Sequence, residues 1–319
     1  MNNQKKAAAA ATNAITEGII WRQLLIFFFP IVLGTFFQQL YNTADAMIVG
    51  RFVGKEALAA VGGSSNQIIN LIIGFFVGVS SGATVIIAQH YGSRKETELS
   101  HALHTAIAFS TVSSIFLMGA GYFLAPALLS MMNTPESMMA DSVTYLRIFF
   151  LGILFTFIYN IGSSILRSVG DSKRPLYYLI VCCFFNIGLD LLFVLVFHMG
   201  IAGAAIATVL SQAVSAILVL LALIRTSDIY KLHLRKVRFF EGSLSSILRI
   251  GIPAGLQAAM YSLSNIIIQT ALNALGTDTV AAWTSFGKMD AFCWMVISAF
   301  GISATTFVGQ IMAPGNMTA

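Results

Sequence analysis

Apolar runs long enough to cross a bilayer, separated by short polar connections, recur along the whole chain, and they exclude most architectures. A membrane-spanning helix needs about 20 predominantly apolar residues. Eight runs meet that requirement: 22–50, 58–90, 103–128, 138–168, 175–197, 201–224, 247–274 and 279–311. Hydrocarbon offers backbone N–H and C=O groups no outside partner, so each run closes its hydrogen bonds internally as a helix. Composition agrees. Hydrophobic residues make up 57% of the 319 and charged residues 10%, against about 25% charged in soluble domains. A globule of this size cannot hide that much apolar surface from water. The expected fold class is therefore all-α and polytopic, with the longer spans tilted or extended beyond the bilayer.

Charge placement sets the orientation. Of 18 Lys and Arg, the 14 in the N-terminal tail and in alternate connections fall on one side. The other side receives Arg51, Lys55 and the acidic connection around Glu136 and Asp141. By the positive-inside rule the basic side is cytoplasmic, which puts the N-terminus inside and makes the chain a multi-pass protein of the plasma membrane. The formal charge of +5 is confined to these connections, which argues against a nucleic-acid partner and leaves lipid as the surrounding one. Residues 1–18 read as a cytoplasmic tail rather than a signal peptide, since the first apolar run is too long and lacks a small-residue cleavage pattern. Cys182, Cys183 and Cys293 lie in apolar runs and read as packing residues, with no disulfide framework or metal site.

An internal repeat organises the spans. The segment from Pro30, PIVLGTFFQQLYN, aligns with PAGLQAAMYSLSN from Pro253, pairing Pro30 with Pro253, Leu40 with Leu263 and Asn42 with Asn265. GKEALAAV from Gly54 then pairs with GTDTVAAW from Gly276, and ATVIIAQ ending at Gln89 with ATTFVGQ ending at Gln310. Span seven thus restarts span one. After an even number of spans, the second unit begins on the same side, a parallel repeat about an axis along the membrane normal. The expected division is a tail (1–18), a six-helix lobe (19–226), a basic cytoplasmic loop (227–246) and the first two helices of an incomplete second lobe (247–319). The loop from Arg225 to Ser246 is expected to set topology rather than to bind lipid.

Ionisable groups inside spans are costly and mark function. Asp45 lies late in span one, and Gln38, Asn42 and Asp45 share a helical face at i, i+4 and i+7. Asp190 lies in span five with Asn186 one turn earlier. Counting from the turn at His198 and Gly200, Asp190 and Thr208 fall at matching depth, so Asp45, Asn186, Asp190 and Thr208 are expected together in the outer half of one unit. Two carboxylates close together in a low-dielectric interior favour holding a proton. With amide and hydroxyl oxygens added, the same group can instead hold Na+. His101 and His104 read as interfacial. No nucleophile–base pair, phosphate-binding glycine loop or Cys/His metal spacing argues for an enzyme or a bound cofactor.

At these residues the sequence resembles the multidrug and toxic compound extrusion family. The resemblance rests on QLYNTADAMIVG (Gln39 to Gly50), LRSVGDSKRP (Leu166 to Pro175), NIGLDLLF (Asn186 to Phe193) and VGQIMAPGN (Val308 to Asn316). It implies twelve helices in two lobes around a cavity, exporting organic cations against inward H+ or Na+. It further implies a cation site of Asp45, Asn186, Asp190 and Thr208, with Tyr145 and Ser163 at other lobe-lining positions. Some members carry an acid in the seventh helix. Gln257 to Asn265 contains none, so coupling is expected in the first lobe. The substrate would be a small, amphipathic, cationic molecule; a lipid-linked saccharide flippase of the same superfamily and a non-transporting fragment are the competing readings. Substrate identity, the choice between H+ and Na+ and the oligomeric state are not encoded legibly.

Overall fold

The structure, a computed structural model, describes residues 19–273 and 277–312. Nine α-helices are described: α1 (Ile20–Ile48), α2 (Lys55–Ala60), α3 (Asn66–Gly92), α4 (Glu96–Met131), α5 (Glu136–Ser168), α6 (Lys173–Asp190), α7 (Gly200–Arg225), α8 (Glu241–Asn273) and α9 (Thr277–Ile311). Among the described residues there is no strand. The expected tail, Gly276 of the repeat and the end of the Val308–Asn316 stretch lie outside the described residues.

Each expected span matches one helix, with α2 and α3 joined through a wide π segment at Val61–Ser65 to make the second. Among the described residues, seven spans are long and apolar enough to cross a membrane. The protein is a multi-pass membrane protein. The expected seventh span, 247–274, is helical as α8 over Glu241–Asn273, and its C-terminal part reaches beyond the described side chains over which the seven are counted. Gln257, Ser262, Ser264 and Asn265 dilute its hydropathy, and much of its length is covered by α3, its most extensive neighbour.

The turn between α5 and α6 shows how local sequence sets an element boundary. Gly170 takes φ 96°, a conformation only glycine adopts without strain, and ends α5. Asp171 Oδ1 then accepts from the backbone N–H groups of Lys173 (3.2 Å) and Arg174 (3.0 Å), capping the first turn of α6. Pro175 sits in that first turn, where its missing N–H costs nothing.

Two buried clusters stack along the bundle. The cluster toward the acidic connection holds Ile69, Phe76, Tyr145, Phe150, Phe157, Val194 and Ala204. The one toward the basic connections holds Ile87, Leu103, Leu166, Leu223 and Leu232. The helices of the repeat pack as a two-fold arrangement requires. Exchanging α1 with α8 and α3 with α9 converts the α1–α9 contact into the α8–α3 contact, and both are present. The repeat prolines, Pro30 and Pro253, are each inside their helices.

Close contacts between α8–α9 and the earlier helices lie on the basic-side half. Phe28 packs against Phe300, with ring centroids 4.2 Å apart. Gln310 Nε2 donates to the Ser168 carbonyl at 2.6 Å. Gly78 and Gly82 of α3 meet Gly251 and Gly255 of α8 backbone to backbone. A Cβ at Gly78 would lie 2.5 Å from Gly255 Cα, and one at Gly251 would lie 2.6 Å from the Val79 carbonyl oxygen. Hydrocarbon supplies no hydrophobic drive for helix association, so this small-xxx-small contact works through close packing. Toward the other side α8 exposes Met260, Tyr261 and Ile267, and α1 exposes Leu33, Phe36 and Leu40.

Gly78→Ile or Gly255→Ile is expected to destabilise the purified protein by about 1–3 kcal/mol through overpacking, read as a lowered unfolding temperature in detergent. Gly74→Ala, whose Cβ would stand 4.0 Å from Ala258 Cβ, is expected to be neutral. Equal effects at all three positions would refute the tight crossing.

Candidate functional site: a pair of buried carboxylates

Asp45 reaches its position because α1 ends three residues later in a widened turn, Val49–Val53, closed by the Gly54 N–H donating to the Val49 carbonyl. Asp190 is the last residue of α6 and is followed by the same device. Leu191–Val196 is a π segment in which Phe197 N–H reaches back five residues to Leu192. The two widened turns pack against each other. Such π segments cluster at functional sites because they reorient side chains within an otherwise regular helix.

Burial of the acids is nearly complete. Asp190 and Asn186 are 0% exposed and Asp45 is 7% exposed. Asp45 and Asp190 are close enough to interact electrostatically, and the buried Tyr145 of α5 lies within electrostatic reach of both. Among the described residues, neither oxygen of Asp190, neither polar side-chain atom of Asn186 and not Oδ1 of Asp45 has a hydrogen-bond partner. Among the described residues, no Lys, Arg or His lies within ion-pair distance of either acid; Arg174 and Asp171 form an ion pair of 3.1 Å, but at the basic side. A buried carboxylate lacking a counter-charge or donors is strongly unfavourable as an anion. The arrangement is therefore suited to taking up a small cation or a proton.

The other expected residues divide. Thr208 is half-buried on α7, its hydroxyl donating to the Ala204 carbonyl at 3.1 Å and keeping lone pairs available. Tyr145 stands with the acids. Ser163 is fully buried in α5 but 18 residues from Tyr145, about 27 Å along the helix, and so belongs to the basic-side half. Gln38 and Asn42 are exposed, Asn42 Nδ2 donating to Gln39 Oε1 at 3.4 Å. The buried stripe of α1 is instead Tyr41, Asp45 and Ile48.

Two residues absent from the sequence expectation join this region. Tyr41 sits one turn before Asp45 and is in electrostatic contact with it. Its hydroxyl accepts from Gln212 Nε2 of α7 at 3.3 Å, both residues buried. The i, i+4 spacings Tyr41–Asp45 and Thr208–Gln212 were the available signals, since each pair stacks on one helical face.

The MatE family model matches residues 30–192, a stretch containing both acids and Asn186. The chain belongs to the MATE family. It is 34% identical over 301 residues to a "Probable multidrug resistance protein YpnP" of Bacillus subtilis (strain 168), covering 94% of this chain and 67% of that protein. A second Bacillus subtilis (strain 168) relative, "Probable multidrug resistance protein YoeA", is 32% identical, over 91% of this chain and 64% of that one. Among solved structures, a crystal structure of MATE in the bent conformation superposes with a TM-score of 0.88 at 25% identity, over 96% of this chain and 68% of that one. The chain thus spans about two thirds of the length of the relatives it matches.

Tyr41→Phe alone is expected to cost about 1–3 kcal/mol, because it leaves the buried Gln212 amide without its partner. Adding Gln212→Leu is expected to recover part of that loss. Unfolding temperatures of the two single variants and the double test the coupling, and strict additivity would show that the α1–α7 link contributes nothing.

Proposed function

We propose that this MATE family chain carries the ion-coupling half of a secondary-active exporter of small amphipathic organic cations, exchanging them for H+ or Na+. The observation that carries this reading is the pair of buried, interacting carboxylates with no counter-charge among the described residues. Such a pair is tolerable in a lipid-embedded bundle when it binds a cation as part of its working cycle. Asp45 and Asp190 are the primary ligands, with Asn186 and Thr208 adding neutral oxygens. Those are the hard-oxygen donors that Na+ takes, and the carboxylates alone suffice for a proton. Tyr145 and Tyr41 wall the site.

In this reading the basic side is cytoplasmic and the membrane is the plasma membrane. The acids then sit in the half reached from outside, and the glycine crossing of α3 and α8 with the Gln310–Ser168 bond holds the cytoplasmic side together. A cation entering from outside neutralises the acids and removes the penalty of their burial. That changes how the widened turns after α1 and α6 pack, and substrate release outward follows from the change. The multidrug names of the two Bacillus subtilis relatives support the substrate class.

The test is export of a fluorescent cationic dye from proteoliposomes containing the 319-residue chain, under an imposed H+ or Na+ gradient. Asp45→Asn and Asp190→Asn preserve side-chain size and are each expected to lower gradient-driven export at least tenfold, about 1.4 kcal/mol or more of coupling. The gradient that drives the wild type identifies the ion. Export undiminished in both variants would sink the assignment.

A further inference from the structure

The connection between α7 and α8 was expected to be a topology-setting loop. In the structure it forms a strap held against the basic end of α4. Leu232 is buried, and its N–H donates to the Leu223 carbonyl at 2.9 Å. The His233 N–H donates to Nε2 of His104 at 3.0 Å, and His104 Nδ1 donates to the Ser100 carbonyl at 2.6 Å. Both ring nitrogens are thereby occupied, and His104 is fully buried under the strap. Where the strap enters α8, the Phe240 N–H donates to Thr105 Oγ1 at 3.2 Å.

Between strap and helix lies a cavity of about 490 Å³, into which Arg235, Lys236, Arg238 and His101 converge. Phe240 braces two of these groups: the His101 ring stacks on it at 3.9 Å, and the Arg238 guanidinium sits 4.7 Å from its centroid. None of Arg235, Lys236 and Arg238 has a carboxylate within ion-pair distance among the described residues. Glu96 is the one acid lining the cavity, beside Thr97 and Ser100 hydroxyls. Leu234 and Phe239, 62% and 44% exposed, bracket the three cations. Exposed apolar side chains interleaved with cations suit the boundary between headgroups and acyl chains better than open water.

We propose that this cavity is a binding site for the phosphate of an anionic phospholipid headgroup in the leaflet on the basic side. The guanidinium groups of Arg235 and Arg238 and the Lys236 ammonium receive the phosphate oxygens, while Leu234 and Phe239 enter the acyl region. A bound headgroup pins the strap to α4 at the point where α8 begins, and so stiffens the link between the first six spans and the last two helices.

Purified full-length chain in neutral detergent is titrated with short-chain phosphatidylglycerol, short-chain phosphatidylcholine and inorganic phosphate. Bound lipid is read by native mass spectrometry, and stabilisation by the unfolding temperature. The expected result is preferential binding of phosphatidylglycerol, weakened on the order of 100-fold in the exposed triple variant Arg235→Ala/Lys236→Ala/Arg238→Ala. The charge-matched triple Arg22→Ala/Lys231→Ala/Arg249→Ala, also exposed on the basic side, is expected to bind as the wild type does. Glu96→Gln is expected to tighten binding. Equal loss in the two triples would overturn the site in favour of general surface charge. Stabilisation by inorganic phosphate equal to that by phosphatidylglycerol would overturn the lipid as the source.

Discussion

Hydrocarbon gives a polypeptide nothing to hydrogen-bond to, and most of this structure follows from that. Long helices result because they alone close their own ladders, and because lipid is as apolar as leucine, the helices need something other than hydrophobicity to associate. The protein answers with close backbone approach at Gly78, Gly82, Gly251 and Gly255, with aromatic packing such as Phe28 on Phe300, and with a few buried hydrogen bonds, Gln212 to Tyr41 and Gln310 to Ser168 among them. The same medium makes each unpaired polar group expensive, so the two acids left without counter-charges stand out energetically as well as spatially.

Two of the departures from regular helix fall where those acids are. The ladder widens immediately after both Asp45 and Asp190, and the two widened turns touch. A π turn is a rare departure from the α-helix and is found frequently at functional sites. The two acids are thus mounted directly beside a pair of packed π segments. The basic-side half holds no comparable feature next to a buried acid among the described residues. It is closed instead by glycine contacts and by a strap bonded through His104 and Thr105, while the two acids lie toward the other end.

The spans were legible because their signal is a sum over twenty or more residues, which no single side chain can overturn; boundaries from α1 to α9 fall close to the apolar runs. Span seven was legible as a helix both from its apolar run and from its repeat with span one. The acids were legible for the opposite reason: one charge inside an apolar run is costly enough to be conspicuous alone. Their neighbours were not. Gln38, Asn42 and Asp45 share a face by spacing, but Gln38 and Asn42 end exposed while Tyr41 is buried beside Asp45. Periodicity says which residues face the same way, and it does not say what they face. Ser163 was carried by resemblance to lobe-lining positions and lies in the other half of α5.

By itself the sequence determined the all-helical membrane fold, the two-fold repeat and the two carboxylates, because each rests on the cost of polarity in lipid, which is local to the residues concerned. Only the tertiary structure decided that Asp45 and Asp190 interact across two helices, that Tyr41 and Gln212 join α1 to α7, and that the basic connection folds down onto α4 as a strap. Those facts depend on how helices distant in the chain are rotated and staggered against one another. That arrangement is set by glycine contacts and side-chain packing summed over many elements, and no stretch of sequence carries it alone.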